Sequence, residues 1–319
     1  MSDARDLLHR IKLAVRASIP STEVPPTDPT APAEARQTAE TTAPMPSHWF
    51  RSAALLDVRG LQVTYGEPAN APRLVKGISL SITRGEAIGL VGDADSGALE
   101  VAQCIAGALP APAIIRSGSI LFDGAELVGL PQRSFSRLRH TKIAYLPRDP
   151  LATLDSAATV GTQLTAPLRS RLRLSKTLAY ARALALLHRA GVERPDHTFT
   201  AYPHELSATL AQRVHIANAL AMSPNLIVAD NPTDALDESD SSAILELLRA
   251  LQRELGMTMI LVTGSVGTAA LTCHRVAVLQ AGAIVEYTSV AELFDSPKHP
   301  YTRELLQAAR NGEQSGPAL

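Results

Sequence analysis

Two glycines and the residues between them bring this chain closest to a recognisable chemistry. In GLVGDADSGALE, Gly92 and Gly97 keep the Gly-x4-Gly spacing of a phosphate loop, after the apolar stretch EAIGLVG and before the helical stretch GALEVAQCIAG. Such a loop surrounds phosphate with backbone N–H groups and a helix N-terminus. A Lys then neutralises the β and γ phosphates, and a Ser or Thr hydroxyl holds Mg²⁺. Here those two positions are Ala98 and Leu99. A methyl group supplies no charge, and an isobutyl group ligates no metal. Asp93 and Asp95 flank Ala94 inside the loop, with Ser96 before Gly97. Two like charges about 4 Å apart, at an effective dielectric near 20, repel by roughly 4 kcal/mol, nearly three decades of affinity. Triphosphate binding in the usual pose is expected to be severely weakened, and the loop reads first as a tight turn packing strand against helix.

The elements around it belong to a chain of 319 residues, 45% apolar and 19% charged, enough to bury a full core. Thirty Lys and Arg against 31 Asp and Glu give a net charge of −1, so no global positive field recommends nucleic acid. Cys104 and Cys273 make no disulfide framework or zinc cluster and read as small buried hydrophobes of a reducing compartment. No apolar run is long enough to span a bilayer, and no signal-peptide pattern opens the chain, so a soluble, cytoplasmic protein is expected.

Residues 1–18 read as a basic amphipathic helix, equally able to rest on a membrane or partner or to fray, and residues 19–52 as a Pro/Thr/Ala-rich linker. From about residue 53 to 290, apolar strands alternate with helices, implying a mostly parallel sheet covered on both faces; a helical block at about 151–215 reads as an insertion, and 291–319 as a tail.

Downstream, YPHELSATLAQRVHIANALAMSPNLIVADNPTDALD resembles, over its whole length, the signature helix, Walker B strand and D-loop of ABC-transporter ATPases. HRVAVLQAGAIVEYTSVAELFDSPKHPYTRELLQAA is similar to the C-terminal part of ATP-binding subunits of oligopeptide/dipeptide importers. The resemblance runs from about Leu55 to Ala309. It implies an α/β fold: a RecA-like ABC ATPase core, an antiparallel β-subdomain and an inserted helical subdomain that contacts a permease.

The same resemblance assigns roles residue by residue. Asp230 ends the Walker B strand, but Asn231 stands at the catalytic Glu position, and an amide cannot accept the proton of an attacking water. Gly264 replaces the switch His, and Arg148 the Q-loop Gln, where it is read either as pairing with an acid or a permease loop or as a solvated surface side chain. The signature Leu206-Ser207-Ala208-Thr209-Leu210 keeps its Ser, which would face a partner subunit's ATP, but loses a Gly-Gly pair. The D-loop Asp234-Ala235-Leu236-Asp237 fits a dimer interface or, as well, a helix-capping turn. Tyr65 lies near the adenine-stacking position, although a strand aromatic is more often core. His204 and His299 have no ligand partners at metal spacing, so no metal site is expected. No cysteine follows Cys273, so the iron–sulfur cluster of some relatives is not expected either.

Together these positions predict a catalytically degenerate importer subunit. ATP and Mg²⁺ are the family's cofactors, expected to be weak or absent at this chain's own site. The implied partners are a second, active ABC ATPase, two transmembrane permease subunits and, indirectly, an external solute-binding protein; nucleic acid is not among them. The implied location is peripheral, on the cytoplasmic face of the cell membrane. Two alternatives stay open: an active ATPase with unconventional residues, and a regulatory scaffold outside transport.

Overall fold

The computed structural model describes residues 54–67, 71–139 and 141–312. The expected N-terminal helix and linker, and the end of the tail from residue 313, lie outside them.

In chain order the elements are β1 (Ala54–Tyr65), β2 (Arg73–Thr83), β3 (Ala87–Val91), α1 (Ala98–Ala106), β4 (Ala113–Phe122), β5 (Ala125–Glu126), α2 (Gln132–Arg139), β6 (Ile143–Leu146), α3 (Pro150–Thr153), α4 (Val160–Leu172), α5 (Lys176–Arg189), α6 (Pro195–Thr200), α7 (Ala208–Leu220), β7 (Leu226–Asp230), α8 (Glu238–Leu255), β8 (Thr258–Thr263), α9 (Val266–Thr272), β9 (Arg275–Gln280), β10 (Ala283–Ser289), α10 (Val290–Asp295) and α11 (Pro300–Gly312). The fold is α/β: an antiparallel β-subdomain and a helical part built around a parallel sheet.

The main sheet runs β10-β9-β3-β8-β7-β6. β6, β7, β8, β3 and β9 pair in parallel, and β10 closes the edge antiparallel to β9. β3, β7 and β8 are buried along their whole lengths, which is why they read as unbroken apolar runs rather than alternating ones. The second sheet, β2-β1-β4-β5, is antiparallel. It packs its Leu56, Val58, Leu80 and Ile120 in one apolar cluster with α1 and strands of the main sheet.

α3–α7 form the helical part. Thr159, Ser175 and Ser207 begin α4, α5 and α7, each side-chain oxygen accepting a first-turn N–H. The helical block extends beyond about 215 because Ile216, Ala217 and Leu220 continue the buried face of α7 to its end. No helix among the described residues is long and apolar enough to cross a membrane.

Parallel pairing puts the carboxyl ends of β3, β7, β8 and β6 on one edge, the side on which open α/β sheets bind ligands. Gly92, Asp230, Gly264 and, two residues past β6, Arg148 all lie there. The tail reaches that edge as well. Glu286 on β10, 7% exposed, accepts the N–H groups of Lys298 (3.0 Å) and His299 (3.0 Å) and so fixes the entry to α11. Replacing Glu286 with Ala leaves two donors without their charged acceptor. The expected loss is about 2 kcal/mol, read as a lowered urea midpoint at unchanged slope.

Candidate functional site

β3 delivers Gly92 into a crowded turn: a Cβ there would lie 2.4 Å from the Leu279 carbonyl oxygen and 2.5 Å from the Ser96 Cβ. Gly97, at φ 86, starts α1 in the left-handed region, where an added Cβ would sit 2.5 Å from the Leu74 oxygen. Ser96 ties the turn from both sides, its N–H donating to the Asp93 carbonyl (3.0 Å) and its own carbonyl accepting from Gly282 (2.9 Å). The loop therefore keeps its fold, and both glycines are required by space and backbone angle. Ala98 is 3% exposed, and Leu99 packs partly buried against the core cluster. Ala98 is thus a core residue and Leu99 lies at the core's edge, at the end that would face phosphate.

The loop's charges are arranged differently from the simple repulsion of Asp93 and Asp95. Asp93 accepts the Tyr301 hydroxyl proton on Oδ2 (2.7 Å) and donates its own N–H to the same hydroxyl (3.2 Å). The HPYT tail thus holds the first residue of the loop. Burial and this carboxylate contact push the Tyr301 hydroxyl up to about 12, so it stays a donor. Asp95 is exposed.

A half-buried acid that the sequence reading passed over is Glu100, in the first turn of α1. Its Oε2 is buried with no hydrogen-bond partner. Burial raises its pKa most, and Asp95 and Asp230 raise it further. The signal was available as a third acid directly after Leu99, at a helix start facing two others.

Asp230, 5% exposed, is held on both oxygens: Oδ2 accepts the Tyr145 hydroxyl (2.8 Å), and Oδ1 accepts the Asn231 side-chain amide (3.1 Å). Burial and the Asp230 charge drive the Tyr145 hydroxyl well above its ordinary pKa, so it remains protonated and donating. Asn231 itself sits at φ 40, a left-handed backbone that Asn tolerates better than most residues. Gly264 neighbours the loop: a Cβ there would meet only the Gly92 oxygen, at 3.8 Å, so the place of the switch His has room for a side chain and lacks an imidazole. Arg148 forms an ion pair with Asp234, joining the Q-loop and D-loop positions. Its side chain is 64% exposed, and such a solvent-screened pair is worth at most about 1 kcal/mol.

The remaining candidates sit apart from this cluster or serve the backbone. Ser207 is the N-cap of α7, its Oγ accepting from the Leu210 N–H (3.2 Å). Thr209 donates to Asp240, Leu206 is buried, and Ala208 is half-buried. Asp237 caps α8, accepting the Asp240 N–H (2.8 Å), which is the capping reading of the D-loop; Asp234 is spent on Arg148. Tyr65 ends β1 at 56% exposure, so it is no core aromatic and its ring is free to stack. His204 stacks on Tyr202, and His299 accepts the Tyr301 N–H at Nδ1 (3.3 Å). Among the described residues no group of three or more His, Cys, Asp or Glu is placed to hold a metal ion. Burial lifts both cysteine thiols to about 12, so they behave as small hydrophobes.

Residues 75–234 match the family described as ABC transporter. The chain is 36% identical over 268 residues to the oligopeptide transport ATP-binding protein OppD of Bacillus subtilis, spanning 84% of this chain and 75% of that one. It is 34% identical over 255 residues to the dipeptide transport ATP-binding protein DppD of Escherichia coli, spanning 80% and 78%. Among solved structures, the ATP-binding cassette MJ0796, a post-hydrolysis dimer bound to ADP and Pi, superposes with a TM-score of 0.66 at 26% identity, covering 74% of this chain and 98% of that one. cbiO1 from Clostridium perfringens, part of the transporter complex cbiONQ, gives 0.66 at 27% identity over 82% and 99%.

Glu100 generates a pH-dependent prediction. Its folded-state pKa lies above the ordinary 4.5, so its favourable contribution is complete below that value and is lost as pH rises through the folded-state value. At neutral pH the ionised side chain therefore destabilises the fold. Glu100→Gln is expected to raise stability by about 1 kcal/mol at pH 7, with the gain fading as the pH of the melting experiment is lowered through the folded-state value towards 4.5.

Proposed function

The chain belongs to the ABC-transporter ATP-binding proteins of the oligopeptide/dipeptide importer type, and we propose that within that family it is a non-hydrolysing subunit, paired with an active ATPase that it couples to a peptide permease. The observation that carries this reading is the state of Asp230. The carboxylate that would hold Mg²⁺ through water has both oxygens engaged by Tyr145 and Asn231. The loop opposite offers the methyl of Ala98 and the side chain of Leu99 in place of a cation and a hydroxyl.

The residues present do not fit magnesium triphosphate. Asp95 and Asp230 both act on Glu100, and the loop brings no Lys against these acids. Nothing at Asn231 takes a proton from water, and nothing at Gly264 reaches a γ-phosphate. Each step of hydrolysis lacks its group, so turnover falls to the partner.

The surfaces a partner needs are retained. Ser207 and the N-terminus of α7 remain exposed at the signature, as a site facing the partner's nucleotide requires. A groove of about 390 Å³ opens between the end of β6 and the helical part, lined by Tyr145, Pro147, Thr153, Pro167, His215 and Met222. In this reading it is the place for a permease helix, with the subunit peripheral on the cytoplasmic face of the membrane. His215 in its wall is kept neutral by burial, its pKa lowered, and its Nε2 lies 2.9 Å from the Pro150 carbonyl and 2.8 Å from the Thr153 hydroxyl.

Two measurements test the assignment. Purified alone, the chain should show no ATP turnover above background, and activity should appear only when an intact ATPase of the same importer is added; turnover by this chain alone ends the proposal. Ala98→Lys with Leu99→Ser should raise ATP affinity little by itself and by a further tenfold or more when Glu100→Gln is added, since removing one buried like charge is worth about 1.4 kcal/mol or more.

A further inference from the structure

Charge is segregated in the helical part to a degree that the nucleotide site does not use. No Asp or Glu occurs between Asp155 and Glu193, whereas Arg169, Arg171, Arg173, Lys176, Arg182 and Arg189 all fall in that stretch of a chain whose net charge is −1. Arg169, Arg171, Arg173 and Lys176 cluster at one tip, on the last turn of α4, the connection and the first residue of α5. All four are exposed, and among the described residues none has an acidic partner; of the six, Arg189 is the one paired, with Glu254.

Two leucines project from the same tip, Leu172 at 41% and Leu178 at 59% exposure. The chain turns there through Arg173, at φ 54, which ends α4 and leaves Leu172 without core neighbours to cover it. Leu174, one residue on, packs inward against the helical core.

We propose that this α4–α5 tip is a membrane-contact surface that recognises anionic phospholipid headgroups, with Leu172 and Leu178 seated among the acyl chains just below them. Clustered cations interleaved with protruding apolar side chains are the pattern of interfacial lipid binding. A single-stranded nucleic acid would use the same cations and stack its bases on a free aromatic platform. The neighbouring Tyr180 is not one, since its hydroxyl donates to Asp196 (3.1 Å) and its ring packs edge-on against Phe199 (4.9 Å between centroids). Arg171 also lines the groove assigned above to the permease, so the tip continues that face toward the bilayer. Only this orientation rests on the permease reading.

The test is flotation of the full chain with vesicles of phosphatidylcholine alone and of phosphatidylcholine with phosphatidylglycerol, in the absence of any permease or partner ATPase. Binding is expected to the anionic vesicles only, and to weaken with salt. The combined variant Arg169→Gln, Arg171→Gln, Arg173→Gln and Lys176→Gln should lose about 600-fold in affinity, each cation near such a surface being worth roughly fivefold. Leu172→Ser with Leu178→Ser should lose about tenfold at unchanged charge. All six side chains are exposed, so unchanged melting curves certify the fold of both variants.

The proposal is overturned by equal binding to both vesicle types, by no binding to either, or by wild-type binding of the four-fold variant, which would put the lipid contact elsewhere in the chain. Tighter binding of a short DNA duplex than of anionic vesicles, lost in the same variant, would overturn it in favour of a polyanion site. None of these outcomes bears on ATP turnover, so the two readings stand or fall separately.

Discussion

A carboxylate buried at the end of a parallel strand must have its charge met, and the way Asp230 is met organises the rest of this site. In a cassette that handles nucleotide, that charge answers to a metal bound to phosphate. Here a tyrosine from the neighbouring strand and the amide of the next residue take both oxygens. Once those bonds are made, Tyr145 and Asn231 serve as internal partners of the acid, and a carboxylate base at position 231 would place a second charge beside the first. Under the proposed reading, Ala98, Leu99 and Asn231 describe one condition: an acidic strand edge balanced from within the chain.

The tail contributes to the same balance. Tyr301 bridges the carboxylate and the N–H of Asp93, and Glu286 secures the backbone that brings Tyr301 there. Loop residues that would otherwise be ordered by phosphate are ordered by protein. Gly92 and Gly97 persist because strand, loop and helix still pack at distances that a Cβ would violate, whether or not phosphate is present.

Much of the fold was legible in the sequence because its signals are local. Unbroken apolar runs gave β3, β7 and β8, the capping reading of the D-loop gave the start of α8, and motif order gave the architecture. The place of Asp230 at the end of its strand and of the glycine loop after β3 was legible as well. What the sequence did not yield was pairing across distance. Arg148 finds Asp234, Tyr145 finds Asp230 and Tyr301 finds Asp93 over separations that no spacing rule reports. Glu100 was missed for a related reason: an acid in the first turn of a helix is ordinarily favourable, and only burial without a partner makes it costly.

Whether this edge, already satisfied by its own donors, accepts nucleotide at all decides the subunit's role. Calorimetric titration of Mg·ATP into the purified chain measures that most directly. No saturable heat up to millimolar nucleotide is the predicted result; a micromolar isotherm that vanishes in Asp230→Ala would contradict it.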